Sequence, residues 1–150
     1  MNQELIKAIS DAVMKLRPLV FTQFVRPIKE LEKHSFPPGY IQLMRRIKSF
    51  GSNPVSMTDV STATYISKPN LTIMIDRLCL EGFVQRSADE NDRRIVNVAL
   101  TQLGLDFLSI QQKKVVMLVE DKLSTLSEAD VNKLRIALEN VAEVIKKIEC

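Results

Sequence analysis

A mainly helical domain carrying one small β-hairpin is expected from this 150-residue sequence, on three grounds. Apolar residues recur at spacings of three and four along most of the chain, as helices with one buried face require. Only two short segments, 83–87 and 95–100, alternate in polarity and are rich in β-branched residues. With 4 Gly and 6 Pro there is too little turn material for an all-β sandwich or barrel. A chain of this length buries roughly 68–70% of its unfolded surface, enough for a core without disulfide or metal staples. Hydrophobic and charged shares of 45% and 26% exclude a disordered or fibrous chain.

The first helix is predicted over 3–33, with Ile6, Ile9, Val13, Leu16, Val20 and Phe24 on one face. Pro18 and Pro27 each lack a donor and clash with the preceding turn, so a kink or break is expected near one of them. His34-Ser35-Phe36-Pro37-Pro38-Gly39 interrupts the pattern. A second helix, 40–50, presents Ile41, Leu43, Met44 and Ile47 and stops at Phe50-Gly51-Ser52-Asn53-Pro54. Ser56 then caps a short helix over 57–63. Ser67 caps another over 68–81, where Pro69 in the first turn loses no hydrogen bond. Leu71, Met74, Ile75 and Leu78 face inward, and Gly82 supplies the helix stop. Two short helices joined by a tight turn form a helix-turn-helix.

The alternating segments follow at once, around a polar tip, Ala88-Asp89-Glu90-Asn91-Asp92-Arg93-Arg94. A hairpin placed there completes a winged helix-turn-helix. Thr101 caps a helix over 102–123 that carries Leu103, Phe107, Leu108, Val115, Leu118 and Val119. Ser127-Glu128-Ala129-Asp130 has the shape of a capping box and opens the last helix, 128–148. There Val131, Leu134, Leu138, Val141, Ile145 and Ile148 make a narrow seam that needs a partner helix.

Composition narrows the function. Two cysteines, Cys79 and Cys150, with a single His, provide neither a disulfide framework nor a zinc site, and no metal or cofactor is expected. Phosphate loops, nucleophile elbows and zinc-protease motifs are missing, and Glu30 and Glu32 face different ways on their helix, so an enzyme is not expected. No apolar run approaches the roughly 18 residues of a membrane span. The segment MNQELIKAIS lacks a signal-peptide core, so a cytoplasmic chain is expected. The net charge of +3 is modest, but Lys and Arg outnumber Asp and Glu in 1–39 and 40–101, and not in 102–150.

Duplex DNA fits that distribution. A recognition helix must offer polar or basic side chains at its N-terminal end, and this one offers Ser67, Lys68, Asn70 and Thr72. Asn70 can pair with adenine, Thr72 can touch a thymine methyl or a phosphate, and Lys68 can reach guanine or backbone. A wing needs a cation at its tip for the minor groove, where Arg93 and Arg94 stand, with Asp92 beside them to hold one guanidinium. A winged helix serving only protein contacts is the rival; it would lack the basic tip and the polar helix entrance.

From Ser56 to Gly104 the chain resembles the MarR family of transcriptional regulators. The residues that carry the resemblance are Met57-Thr58-Asp59-Val60, Ser67, Ile75-Asp76-Arg77-Leu78, Glu81-Gly82-Phe83-Val84-Gln85-Arg86 and, above all, Asp92-Arg93-Arg94 followed by Val98, Leu100-Thr101 and Gly104. The resemblance implies one MarR-like domain over 1–150, with 40–101 as the DNA-binding lobe and 1–39 and 102–150 as interlocking dimerisation helices. It implies a homodimer, joined through residues such as Ile6, Ile9, Val13, Leu134, Leu138, Val141, Ile145 and Ile148. It further implies a repressor acting on a pseudo-palindromic operator, with Arg94 in the minor groove and Asp92 orienting it. Control by a small anionic or phenolic ligand is also implied, near Arg17, Phe21, Phe24, Phe36 and Tyr40, with His34 close by. Pro18 and Pro27 depart from the family's long first helix, Cys79 reads as a small core residue, and the first helix has no Cys to sense oxidants.

Overall fold

The computed structural model describes residues 2–33, 37 and 39–148, and of Lys33 the backbone alone. They fall into two compact units, 1–115 and 116–150. No described helix is long and apolar enough to cross a membrane.

The first unit begins with the expected helix in three parts: α1 (Gln3–Val20), a π-helical turn (Phe21–Val25) and α2 (Arg26–Lys33). The irregularity belongs to Pro27. Its ring crowds the carbonyl four residues back and it has no N–H to offer there, so the preceding turn widens. Within that turn the Arg26 N–H donates to the Phe21 carbonyl, five residues back. Pro18 lies inside α1 without ending it. Glu32 of α2 is buried and pairs with Arg45 at 2.8 Å.

Arg45 belongs to α3 (Tyr40–Ser49), whose Ile41, Leu43, Met44 and Ile47 are all buried. Then comes a strand of two residues, β1 (Val55–Ser56), that the sequence did not lead one to expect. Ser56 also caps α4 (Met57–Thr64), accepting the Asp59 N–H at 3.1 Å. Tyr65 ends α4 in the left-handed region, at φ 55, and makes the tight turn. Ser67 precedes α5 (Lys68–Leu80), where Leu71, Ile75 and Leu78 have no exposure. Gly82, at φ 77, terminates α5: its N–H donates to the Cys79 carbonyl and the Phe83 N–H to that of Leu78.

The hairpin pairs β2 (Val84–Ala88) with β3 (Val96–Leu100), from Val84↔Leu100 to Ala88↔Val96. β1 joins the far side of β3, giving the order β1-β3-β2. Thr101 begins α6 (Gln102–Leu123), accepting the Gly104 N–H at 3.1 Å and donating to the Gly82 carbonyl at 2.6 Å. A Cβ at Gly104 would run into the Phe83 carbonyl oxygen, so the close approach of α6 to the start of the wing requires glycine. The core gathers α3, α4, α5, the sheet and Leu108 of α6 around Met44, Val60 and Val98.

In the second unit, α7 (Glu128–Ile145) is capped by Ser127, which accepts the Asp130 N–H at 3.2 Å. The helix stops three residues short of the expected 148. The Asp130 carboxylate takes its hydrogen bond from the Ser127 hydroxyl, at 2.7 Å, because Asp is a methylene shorter than the Glu of a full capping box. No residue of α7 is buried, nor any of α1.

Candidate nucleic-acid interface

The N-terminal end of α5 and the returning edge of the wing face one cleft of about 400 Å³, whose lining includes Lys68, Thr72, Arg86 and Arg94. Ser67 occupies the N-cap position of α5, yet its hydroxyl makes no cap hydrogen bond. It is therefore available, contrary to the capping role expected of it. Lys68 and Asn70 are exposed, and neither side chain has a hydrogen bond or ion pair among the described residues. Thr72 differs: its hydroxyl donates to the Lys68 carbonyl at 2.9 Å, so that donor is already used inside the helix.

Asp89 builds the wing tip. Its carboxylate accepts the backbone N–H groups of Asn91 and Asp92, at 2.9 and 3.2 Å, and the Asn97 amide at 3.0 Å. These bonds, that from Asn91 foremost, hold its carboxyl below the usual carboxylate value. Asp92 does not pair with a guanidinium as the sequence suggested; its carboxylate accepts the backbone N–H of Arg94 at 3.0 Å. A two-residue reach suits the backbone better than the far end of a long side chain, so Asp92 fixes where Arg94 leaves the chain. Arg93 and Arg94 are exposed and in no ion pair among the described residues.

Arg86 ties the wing to α5. Its guanidinium pairs with Asp76 at 2.6 Å and donates to the Thr72 carbonyl at 3.5 Å. Sequence reasoning assigned neither Arg86 nor Asp76 a role, although both lie in the family motif. Arg77 pairs with Glu81 at 2.8 Å along the same helix. The two carboxylates on the exposed side of α5 are thus neutralised, while Lys68, Arg93 and Arg94 keep their charge for a partner. Cys79, on α5 itself, is half-buried, its thiol pushed up by burial, a shift that nearby Arg86 partly opposes.

The other predicted residues fall elsewhere. Ile6, Ile9, Val13, Leu138, Val141, Ile145 and Ile148 are exposed, and Leu134 is half-buried. Of the ligand-pocket residues, Arg17 and Phe21 are exposed, Phe24 and Tyr40 are half-buried, and none of the four lines the cleft between α5 and the wing. Phe36, His34 and Cys150 lie outside the described residues.

Comparison with known proteins points the same way. The sequence model of the MarR family matches residues 41–96. The HTH-type transcriptional repressor MdtR of Bacillus subtilis (strain 168) is 26% identical over 98 residues, 64% of this chain and 61% of its own length. The HTH-type transcriptional regulator PecS of Dickeya dadantii (strain 3937) is 33% identical over 87 residues, 58% of this chain and 52% of its own. The chain thus spans between about half and three fifths of the curated relatives it matches. In three dimensions it is similar to a MarR family protein from Bacillus stearothermophilus, with a TM-score of 0.77, 17% identity, and 98% and 99% of the two chains covered. A MarR mutant from E. coli complexed with operator DNA superposes with a TM-score of 0.61 at 23% identity, covering 87% and 93%. These structural likenesses establish the fold.

Proposed function

Given that residues 41–96 make this chain a member of the MarR family, we propose that it is a transcriptional regulator, a repressor, that binds a pseudo-palindromic operator as a homodimer. One observation carries the reading. Lys68 and Arg94, both without an intramolecular ion partner among the described residues, line one cleft between the recognition helix and the wing. Two such cations fit neighbouring phosphates and grooves of one duplex. In this reading Ser67, Asn70 and Thr72 enter the major groove, and Lys68 reaches guanine or backbone. Arg94 enters the minor groove with Arg93 beside it, held in direction by Asp92.

The dimer is supported by the apolar side chains that α1 and α7 leave in water, since monomeric proteins rarely expose stripes of that size. A repressor named among its relatives and an operator complex of similar fold add support. Such a chain works in the cytoplasm, where the operators are. Control by a small anionic or phenolic ligand is a separate proposal, tested by repeating DNA binding with such compounds present.

The deciding experiment is selection of the purified chain on randomised duplexes at low ionic strength, with its mass in solution measured alongside. A dimer that enriches an inverted repeat, with affinity falling steeply as salt rises, is the expected result. A monomer indifferent to duplex DNA would overturn the reading in favour of a protein-contact module.

A further inference from the structure

The outward face of α5 carries an apolar side chain that neither the core nor the ion pairs use. Ile73 is 62% exposed, whereas Leu71 and Ile75 are fully buried. Helical spacing puts it opposite the core stripe, one turn beyond Pro69 and one turn before Arg77. Asn70 and Arg77 flank it on one side. Thr72 and Asp76 flank it on the other, where Arg86 binds both. Leu80 is more exposed still, at 81%, but it closes the C-terminal end of α5, and recognition helices read bases from their N-terminal part.

We propose that Ile73 reads the C5-methyl group of a thymine in each half-site, an inference that rests on α5 entering the major groove as proposed above. Isoleucine neither donates nor accepts. Set against a purine edge or a cytosine amino group it strips water from a polar atom and returns no hydrogen bond. The thymine methyl is the one apolar group that an unmodified base pair shows in the major groove. Thr72 lies on the flank beside the wing and not on the crest. The β-branch of Ile73 leaves it essentially one side-chain rotamer in a helix, so its methyl groups are held in place before DNA arrives. With both nearby carboxylates paired, nothing on this ridge repels the flanking phosphates.

The test starts from duplexes that the full chain selects, resynthesised with deoxyuridine replacing each thymidine in turn. Methyl loss at one symmetric pair of positions weakens binding about fourfold per half-site, and about fifteenfold when both are changed. Ile73→Ala binds the thymidine duplex more weakly by a similar factor. It no longer distinguishes thymidine from deoxyuridine there, while its response at all other positions is kept. The assignment is overturned if no position responds to methyl loss or if Ile73→Ala retains the full response. Failure to select any duplex is a different result, which removes the operator-binding reading itself.

Discussion

Helices α5 and α7 carry the same three-and-four spacing of apolar residues and end in opposite situations. Leu71, Ile75 and Leu78 of α5 are sealed from water, while Leu138, Val141 and Ile145 of α7 are each more than half exposed. Helix α1 sides with α7. The difference lies in what surrounds each helix. α5 finds α4 and the wing within a few dozen residues of chain, and each fully buried aliphatic side chain stabilises that lobe by about 1.5–3 kcal/mol. A periodic stripe therefore states that a face is apolar; it does not state which chain covers it.

The contrast can be broken from either side. Ile75→Asp sets an unpaired charge in the core and should cost more than about 4 kcal/mol, enough to unfold the lobe. Loss of the cooperative thermal transition checks this, and an unchanged melt would mean that the core lies elsewhere. Leu138→Asp with Ile145→Asp alters residues already in water, so the lobe should keep its fold while the particle becomes monomeric in sedimentation. An intact dimer would show that the seam is made by other residues. Arg94→Ala should weaken operator binding by about 1–3 kcal/mol and leave the melting temperature unchanged, and unaltered affinity would remove the minor-groove contact.

The smallest effect belongs to Asp89. Its folded carboxyl is held below the usual value by three hydrogen bonds, so its contribution is fully present above the ordinary carboxylate range and is lost as pH falls through the lowered folded value. Wing-tip amide shifts followed by NMR in acid should report that loss, and Asp89→Asn should flatten it.

Much of the lobe was legible because its signals are local. Helix boundaries from α3 to α6 fall within about two residues of those the caps, turns and Gly82 indicate. The wing followed from the change of period after Gly82, and Arg93 and Arg94 are exposed at its tip. Long-range or very short features were not legible. Two residues are too few for β1 to show alternation, and its pairing with β3 is decided by the fold. Asp76 meets Arg86, and Glu32 meets Arg45, only after helices and strands have packed. Asp92 meets Arg94 through the backbone N–H and not the expected guanidinium, a difference residue types alone do not reveal.

The widened turn at Phe21–Val25 does more than relieve Pro27. A π turn holds roughly one residue more than an α turn, so it takes up a residue that would otherwise rotate α2 by about 100° relative to α1. The extra residue is absorbed there, and Glu32 of α2 keeps its aim at Arg45. Removing a single residue between 21 and 25 should close the π turn and keep Glu32 against Arg45, whereas inserting one should swing the carboxylate away by about 100°.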